Sequence, residues 1–178
     1  SNGVTYSLID ENGGAISGSA ESGVSVPELA AATQHVYVSS STKSEDGTQE
    51  TIVISYNADA DVTGLGIRMH FDSSMLSISE ISEVLPTNLF IAPNAEAVKA
   101  DDTDADGNSN TDMYIDMSWV SFVSSTWPGA GSADLIEATF DIAEGATGTA
   151  AIGFSSTSTA AGYDFAGQTH NIAISNEP

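Results

Sequence analysis

Gly64-Leu-Gly-Ile-Arg-Met-His-Phe71 is the stretch on which the fold class turns. Leu65, Ile67, Met69 and Phe71 alternate with Gly66, Arg68 and His70, the period-two pattern of a strand with one buried face. Working outward, the same alternation picks out Ile52, Ile54 and Tyr56, then Ile115, Met117 and Trp119. It recurs in Ile136, Ala138, Phe140 and Ile142, in Ile152 and Phe154, and in Ile172 and Ile174. Val36 with Val38 and Leu76 with Ile78 are shorter versions. Turn-forming clusters separate these runs at residues 45–47, 57–64, 127–131, 144–145 and 161–162. Eight or nine strands in about 140 residues, punctuated in this way, predict an all-β chain folded as an antiparallel β-sandwich. Trp119 shares the parity of Ile115 and Met117 and is assigned to the core. Residues 27–32 and 94–99 could each form one helical turn, but neither carries a sustained apolar face. No internal repeat of solenoid period is present.

Three basic residues (Lys43, Arg68, Lys99) stand against 25 Asp and Glu in 178 residues, a formal net charge of −22. Nucleic acid and anionic membrane surfaces require clustered Lys and Arg, so neither is an expected partner. No apolar run reaches the length of a membrane span, and no signal peptide is recognisable, so the chain reads as a piece of something larger. Forty per cent apolar residues is too many for an acidic disordered tail. Cysteine is absent, which large bacterial surface proteins tolerate. Ser and Thr together number 42 and Ala 23. Such a surface stays soluble at high salt, and divalent cations would relieve its self-repulsion. The expected location is extracellular, on a bacterial and plausibly marine cell surface.

Chemistry concentrates in residues 101–112, Asp-Asp-Thr-Asp-Ala-Asp-Gly-Asn-Ser-Asn-Thr-Asp. From Asp102, oxygen-bearing side chains fall at every second position: Asp102, Asp104, Asp106, Asn108, Asn110 and Asp112. Calcium takes several hard oxygen ligands, and a loop wrapping an ion turns alternate side chains inward. Gly107 permits the sharp turn after the third carboxylate. The pattern follows an EF-hand through Asn108, but Met113 stands where the closing bidentate Glu would be, and no flanking helices are predicted. Asp112 from the closing turn, or Asp116 from the following strand, would replace it. Five aspartates in twelve residues repel one another unless a cation lies among them. Ca²⁺ is therefore the expected cofactor, ahead of magnesium, which keeps its waters.

Other features carry less. Asn57, Asp59 and Asp61 alternate in one turn and could form a second ion site, and Glu45, Asp46 and Glu50 flank another; both are expected to be solvated loops. His35, His70 and His170 show no zinc spacing and read as surface strand residues, so zinc is not expected. No nucleophile elbow, phosphate loop or dinucleotide fingerprint occurs in a suitable context, and no enzymatic activity is expected. Trp127, in Ser125-Thr-Trp-Pro-Gly129, is either a buried loop anchor or an exposed platform for a sugar ring. Residues 1–34 form a Gly- and Ser-rich N-terminal extension. A short strand is expected around Val4, Tyr6 and Leu8. The extension is either a linker or a strand donated to a neighbouring copy, and residues 35–178 form the sandwich.

Gly64-Leu-Gly-Ile-Arg-Met-His-Phe-Asp-Ser-Ser-Met-Leu76 resembles the strand–turn–strand of cohesin modules. Ala133-Asp-Leu-Ile-Glu-Ala-Thr-Phe-Asp-Ile-Ala143, followed by Gly145 through Phe154, is similar to the later cohesin strand pair. Together with the Asp-rich loop, Met113-Tyr-Ile-Asp-Met-Ser-Trp119, Trp127-Pro-Gly129 and Ala160-Ala-Gly-Tyr163, the pattern resembles cohesin-like modules of large calcium-dependent adhesins. That resemblance implies a nine-stranded, jelly-roll-like sandwich rigidified by calcium, with a scaffolding or adhesive role at the cell surface. Dockerin binding is not carried over, because nothing identifies the binding face and the calcium loop lies within this chain. The partners expected are neighbouring domains or copies of the same chain, a surface glycan or a protein. Two other roles compete with the module: a self-assembling subunit of an extracellular fibre or tube, and calcium-dependent carbohydrate binding.

Overall fold

The computed structural model describes residues 8–9, 15–16, 32–58, 64–85, 97–120 and 131–174. The chain divides into two compact units, Ser1–Ala30 and Ala31–Pro178. In the first, β1 (Leu8–Ile9) pairs antiparallel with β2 (Ala15–Ile16). Trp127, Asp59 and Asp61 lie outside the described residues, as do most of the two candidate helical turns.

The second unit contains β3 (Ala32–Lys43), β4 (Gln49–Ala58), β5 (Gly64–Phe71), β6 (Leu76–Glu83) and β7 (Lys99–Ala100). It continues with β8 (Met113–Val120), β9 (Gly131–Ile142), β10 (Gly148–Ser158), β11 (Tyr163–Gly167) and β12 (His170–Ile174). These form two five-stranded sheets, ordered β11-β3-β4-β9-β6 and β12-β10-β5-β8-β7. Among the described residues the second unit has ten strands, against the nine that the resemblance implies, and the two-residue β7 overlaps the stretch 94–99 in which a helical turn could form. Extended backbone persists there because Asp101 N–H donates to the Asp112 carbonyl (2.8 Å), which carries the β7–β8 pairing into the loop mouth.

Among the described residues, the pairings of the second unit are antiparallel except β11 with β3, which is parallel from Tyr163 opposite Ala32 to Gly167 opposite Val36. A parallel pair needs a crossover. The chain supplies one by leaving β10 in the other sheet through a turn in which Tyr163 N–H bonds the Ala160 carbonyl (3.0 Å).

The alternating residues line the core. Ile52, Ile54 and Tyr56 of β4, Leu65, Ile67, Met69 and Phe71 of β5, and Ile115, Met117 and Trp119 of β8 are all buried. A bulge between Ile54 and Ser55, in the β4–β9 pairing, lets the adjacent Leu135 and Ile136 both turn inward. Gln34 is buried and hydrogen-bonded at both ends of its amide. It donates to the Tyr56 hydroxyl (3.2 Å) and the Gly64 carbonyl (3.0 Å), and accepts from Ala160 N–H (2.9 Å).

β5 departs from the half-buried strand expected of it, since Gly66 and His70 on its other face are buried too. A Cβ at residue 66 would crowd the hydroxyls of Thr157 and Ser158. His70 is covered by the acidic loop.

Candidate metal centre

Register places the site. His70 sits opposite Gly153 of β10 and Tyr114 of β8, on the face of the second sheet that points away from the core. Its ring rests on Tyr114, with centroids 5.5 Å apart, and its Nε2 lies 2.7 Å from Ser155 Oγ. Those two contacts leave Nδ1 as the reactive edge. Asp101 Oδ2 lies 2.8 Å from Nδ1, and the two side chains are 0% and 1% exposed. Nδ1 has no hydrogen-bond partner, and Asp101 stands beside it as an ion-pair partner.

The loop that delivers Asp101 is folded by its own side chains. Gly107 has φ 74° and Asp104 φ 50°, so the chain bends twice through left-handed backbone. Asp106 Oδ1 accepts from Asn108 N–H (3.2 Å), and its Oδ2 accepts from Thr111 Oγ1 (2.8 Å). Thr111 is buried beneath the turn. Asp106 then lies against Gly153, where a Cβ would come within 2.9 Å of its Cγ. Only glycine leaves that recess open. Among the described residues, His70, Asp101 and Asp106 form the one group of three potential ligands whose atoms all converge within 4.8 Å.

The loop's other acids do not join that group. Asp102, Asp104 and Asn110 are exposed, and Asn108 Oδ1 accepts from Asn110 N–H (3.2 Å). Asp112 turns to the β5–β6 turn, accepting from Ser73 N–H (2.8 Å) and Ser73 Oγ (2.7 Å). Asp116 lies on β8, held by Arg68 Nε (3.3 Å) and Lys99 Nζ (2.5 Å). Both cations also stand over the Tyr114 ring, Arg68 Cζ at 4.7 Å and Lys99 Nζ at 6.0 Å from its centroid.

The protonation equilibria follow these contacts. Burial raises the Asp101 carboxyl, but the His70 charge and the Ala105 and Thr103 donors outweigh it and hold the group below its ordinary value. Burial likewise opposes ionisation of Asp112 and Asp116. The Ser73 donors lower the first, and the Lys99 and Arg68 charges lower the second. Lys99 is raised by its hydrogen bond to Asp116 and by that carboxylate's charge.

The histidines correct the sequence reading in part. His35 is exposed as expected, but His70 is fully buried. His170 shares its strand parity with the buried Ile172 and Ile174, and desolvation pushes its pKa down against the opposing pull of Glu50. The expectation of no zinc site rested on linear spacing. His70 and Asp101 meet because a loop folds over a sheet, which no HxxxH or HxH search detects. Asp101 itself falls outside the alternating series that begins at Asp102.

The second acidic turn comes apart. Asp46 serves the β3–β4 turn, accepting from Ser44 Oγ (2.6 Å), Thr48 Oγ1 (2.8 Å) and Thr48 N–H (3.1 Å). Glu50 is buried and bonded to Ser41.

Solved structures that this chain is similar to include cohesin modules. A type I cohesin–dockerin complex from Clostridium thermocellum matches with TM-score 0.52 and 11% identity, covering 77% of this chain and 96% of that one. CaCohA2 from Clostridium acetobutylicum matches with TM-score 0.50 and 16% identity, covering 82% and 94%. The sixth cohesin of scaffoldin B from Acetivibrio cellulolyticus, in complex with a Cel5 dockerin, matches with TM-score 0.50 and 10% identity, covering 78% and 96%. The chain has the cohesin-like β-sandwich fold. No protein-family model matches the sequence, and no curated protein matches it.

Proposed function

We propose that this chain is a non-enzymatic, cohesin-like interaction module of a bacterial cell-surface protein, stiffened by Ca²⁺ at residues 101–112. The observation that carries the reading is the docked acidic loop. Residues 101–112 close on themselves through the Asp101–Asp112 backbone bond and lie against one sheet of the sandwich. A loop with five aspartates held in so small a space needs counter-charge. The Lys and Arg near it are committed to Asp116. Calcium would draw on Asp102, Asp104 and Asp106 with the amide oxygens of Asn108 and Asn110, and on Asp112 or Asp116 if their present bonds open. Its chemistry there is structural, crosslinking the two ends of the loop. The sandwich would present its faces to neighbouring domains, to further copies or to a protein partner.

Thermal melting with light scattering, with and without millimolar calcium and with chelator as control, tests this. A rise in melting temperature at constant monomeric mass is expected. No response to calcium would remove the ion from the reading, and growth in mass would replace the spacer with a calcium-bridged assembly.

A further inference from the structure

We propose that His70 Nδ1, Asp101 and Asp106 form a second, inner site, built for one divalent first-row transition-metal ion of the zinc class. It goes beyond the calcium reading and shares Asp106 with it, so the two ions would compete for that carboxylate. A buried imidazole nitrogen facing two carboxylates requires a positive charge between them, because the lone pairs otherwise repel in a medium of low dielectric. A proton on Nδ1 is the simplest such charge, but Nδ1 makes no hydrogen bond to Asp101 Oδ2 despite the 2.8 Å separation. A shared metal ion would supply the charge instead, with Nδ1 and Oδ2 parting from 2.8 Å to the roughly 3.3 Å that tetrahedral bonds of about 2 Å require. The ion would lie on the lone-pair axis, with the carboxylate oxygens as neighbouring ligands to its side.

The surroundings are those of a prepared site. The Ser155 contact at Nε2 fixes the ring and sets Nδ1 toward the carboxylates, the role second-shell partners play for ligating histidines. Asp106 is oriented by Thr111 and Asn108 and seated in the Gly153 recess. One imidazole and two carboxylates suit zinc or a similar ion better than calcium, which takes oxygen ligands. Water would supply a fourth ligand on the half-buried Asp106 side.

The test uses the full chain stripped with chelator, titrated calorimetrically with Zn²⁺ and spectroscopically with Co²⁺. Uptake of one ion per chain is expected, with the His70 ring resonances shifting in step. D101N and H70Q should each weaken uptake roughly tenfold or more, while the calcium-induced rise in melting temperature persists, because neither residue belongs to the calcium set. D101N preserves the side-chain shape and decides the matter if H70Q fails to fold by circular dichroism. The proposal is overturned by absence of Zn²⁺ and Co²⁺ uptake, or by uptake that D101N leaves unchanged. A His70 ring that stays doubly protonated in the presence of Zn²⁺ overturns it equally, leaving a buried ion pair. A calcium response without zinc uptake sinks this site alone, and the converse sinks only the calcium loop.

Discussion

At Gly153 a missing side chain decides where the acidic loop can rest. The Asp106 carboxylate fills the space a Cβ would need, and backbone hydrogen bonds to β5 hold residue 153 in place, so a larger residue must expel the aspartate. Gly153→Ala is therefore expected to destabilise the chain by about 1–3 kcal/mol, the usual range for overpacking. In an Asp106→Ala background the same change should cost much less, since the clashing group is gone. Urea denaturation of the two single variants and the double variant gives the coupling directly; additive costs would mean that the loop does not press on the sheet at this point. Asp46 offers a second test at this scale. Hydrogen bonds from Ser44 and Thr48 hold its carboxyl down to about 2 from 3.8. A depressed folded-state value means that the stabilisation is complete above pH 3.8 and is lost as pH falls toward 2. Asp46→Ala should thus lower stability at neutral pH, and the difference from wild type should shrink across that window. A difference that stays constant down to the lowest pH would show that the bonds do not depend on ionisation.

Among the elements, strands with one wet face were the most legible in the sequence, and the departures have identifiable causes. The parity of β4, β8 and β9 could be read directly, because burial on one face imposes a period of two. β5 was legible only in half, since Gly66 and His70 are buried by segments that arrive from elsewhere in the chain. The acidic loop was visible as composition, but its target was not. His70 and Asp101 are 31 positions apart, and only the pairing of β5, β8 and β10 brings them together. The parallel β11–β3 pair was likewise hidden, because local patterning says nothing of which sheet edge a late strand will join. Gln34 shows what holds that edge. It links β3 to the start of β5 and to the turn before β11, and Gln34→Leu would deprive the Gly64 carbonyl and the Ala160 N–H of these bonds. A loss of about 1–3 kcal/mol is expected, since the two groups left without these bonds are part-buried. Hydrogen exchange should show β11 amides opening first. Uniform loss of protection across both sheets would instead mark Gln34 as part of the global core.

For the molecule as a whole, the sign of the surface is nearly uniform, and every basic side chain is already committed. Lys43 Nζ donates to the Ala173 carbonyl at 2.5 Å, tying β3 of one sheet to β12 of the other, while Arg68 and Lys99 clasp Asp116. The remaining surface of a chain with net charge −22 repels itself, and repulsion among exposed charges acts over the Debye length. Raising sodium chloride from about 0.01 M to 1 M shortens that length from roughly 30 Å to 3 Å, so the melting temperature should climb with salt even though the Asp116 ion pairs weaken. Screening depends on ionic strength and not on which cation supplies it. A cation held by residues 101–112 would behave differently, adding stability at low millimolar calcium beyond ionic-strength-matched sodium chloride. That excess should disappear in Asp102→Asn/Asp104→Asn, whose sodium response would be close to that of the wild type. Identical curves for the two salts would reduce the acidic loop to one more contributor to the general field. A calcium excess that survives in the double variant would place the ion at other carboxylates of the surface.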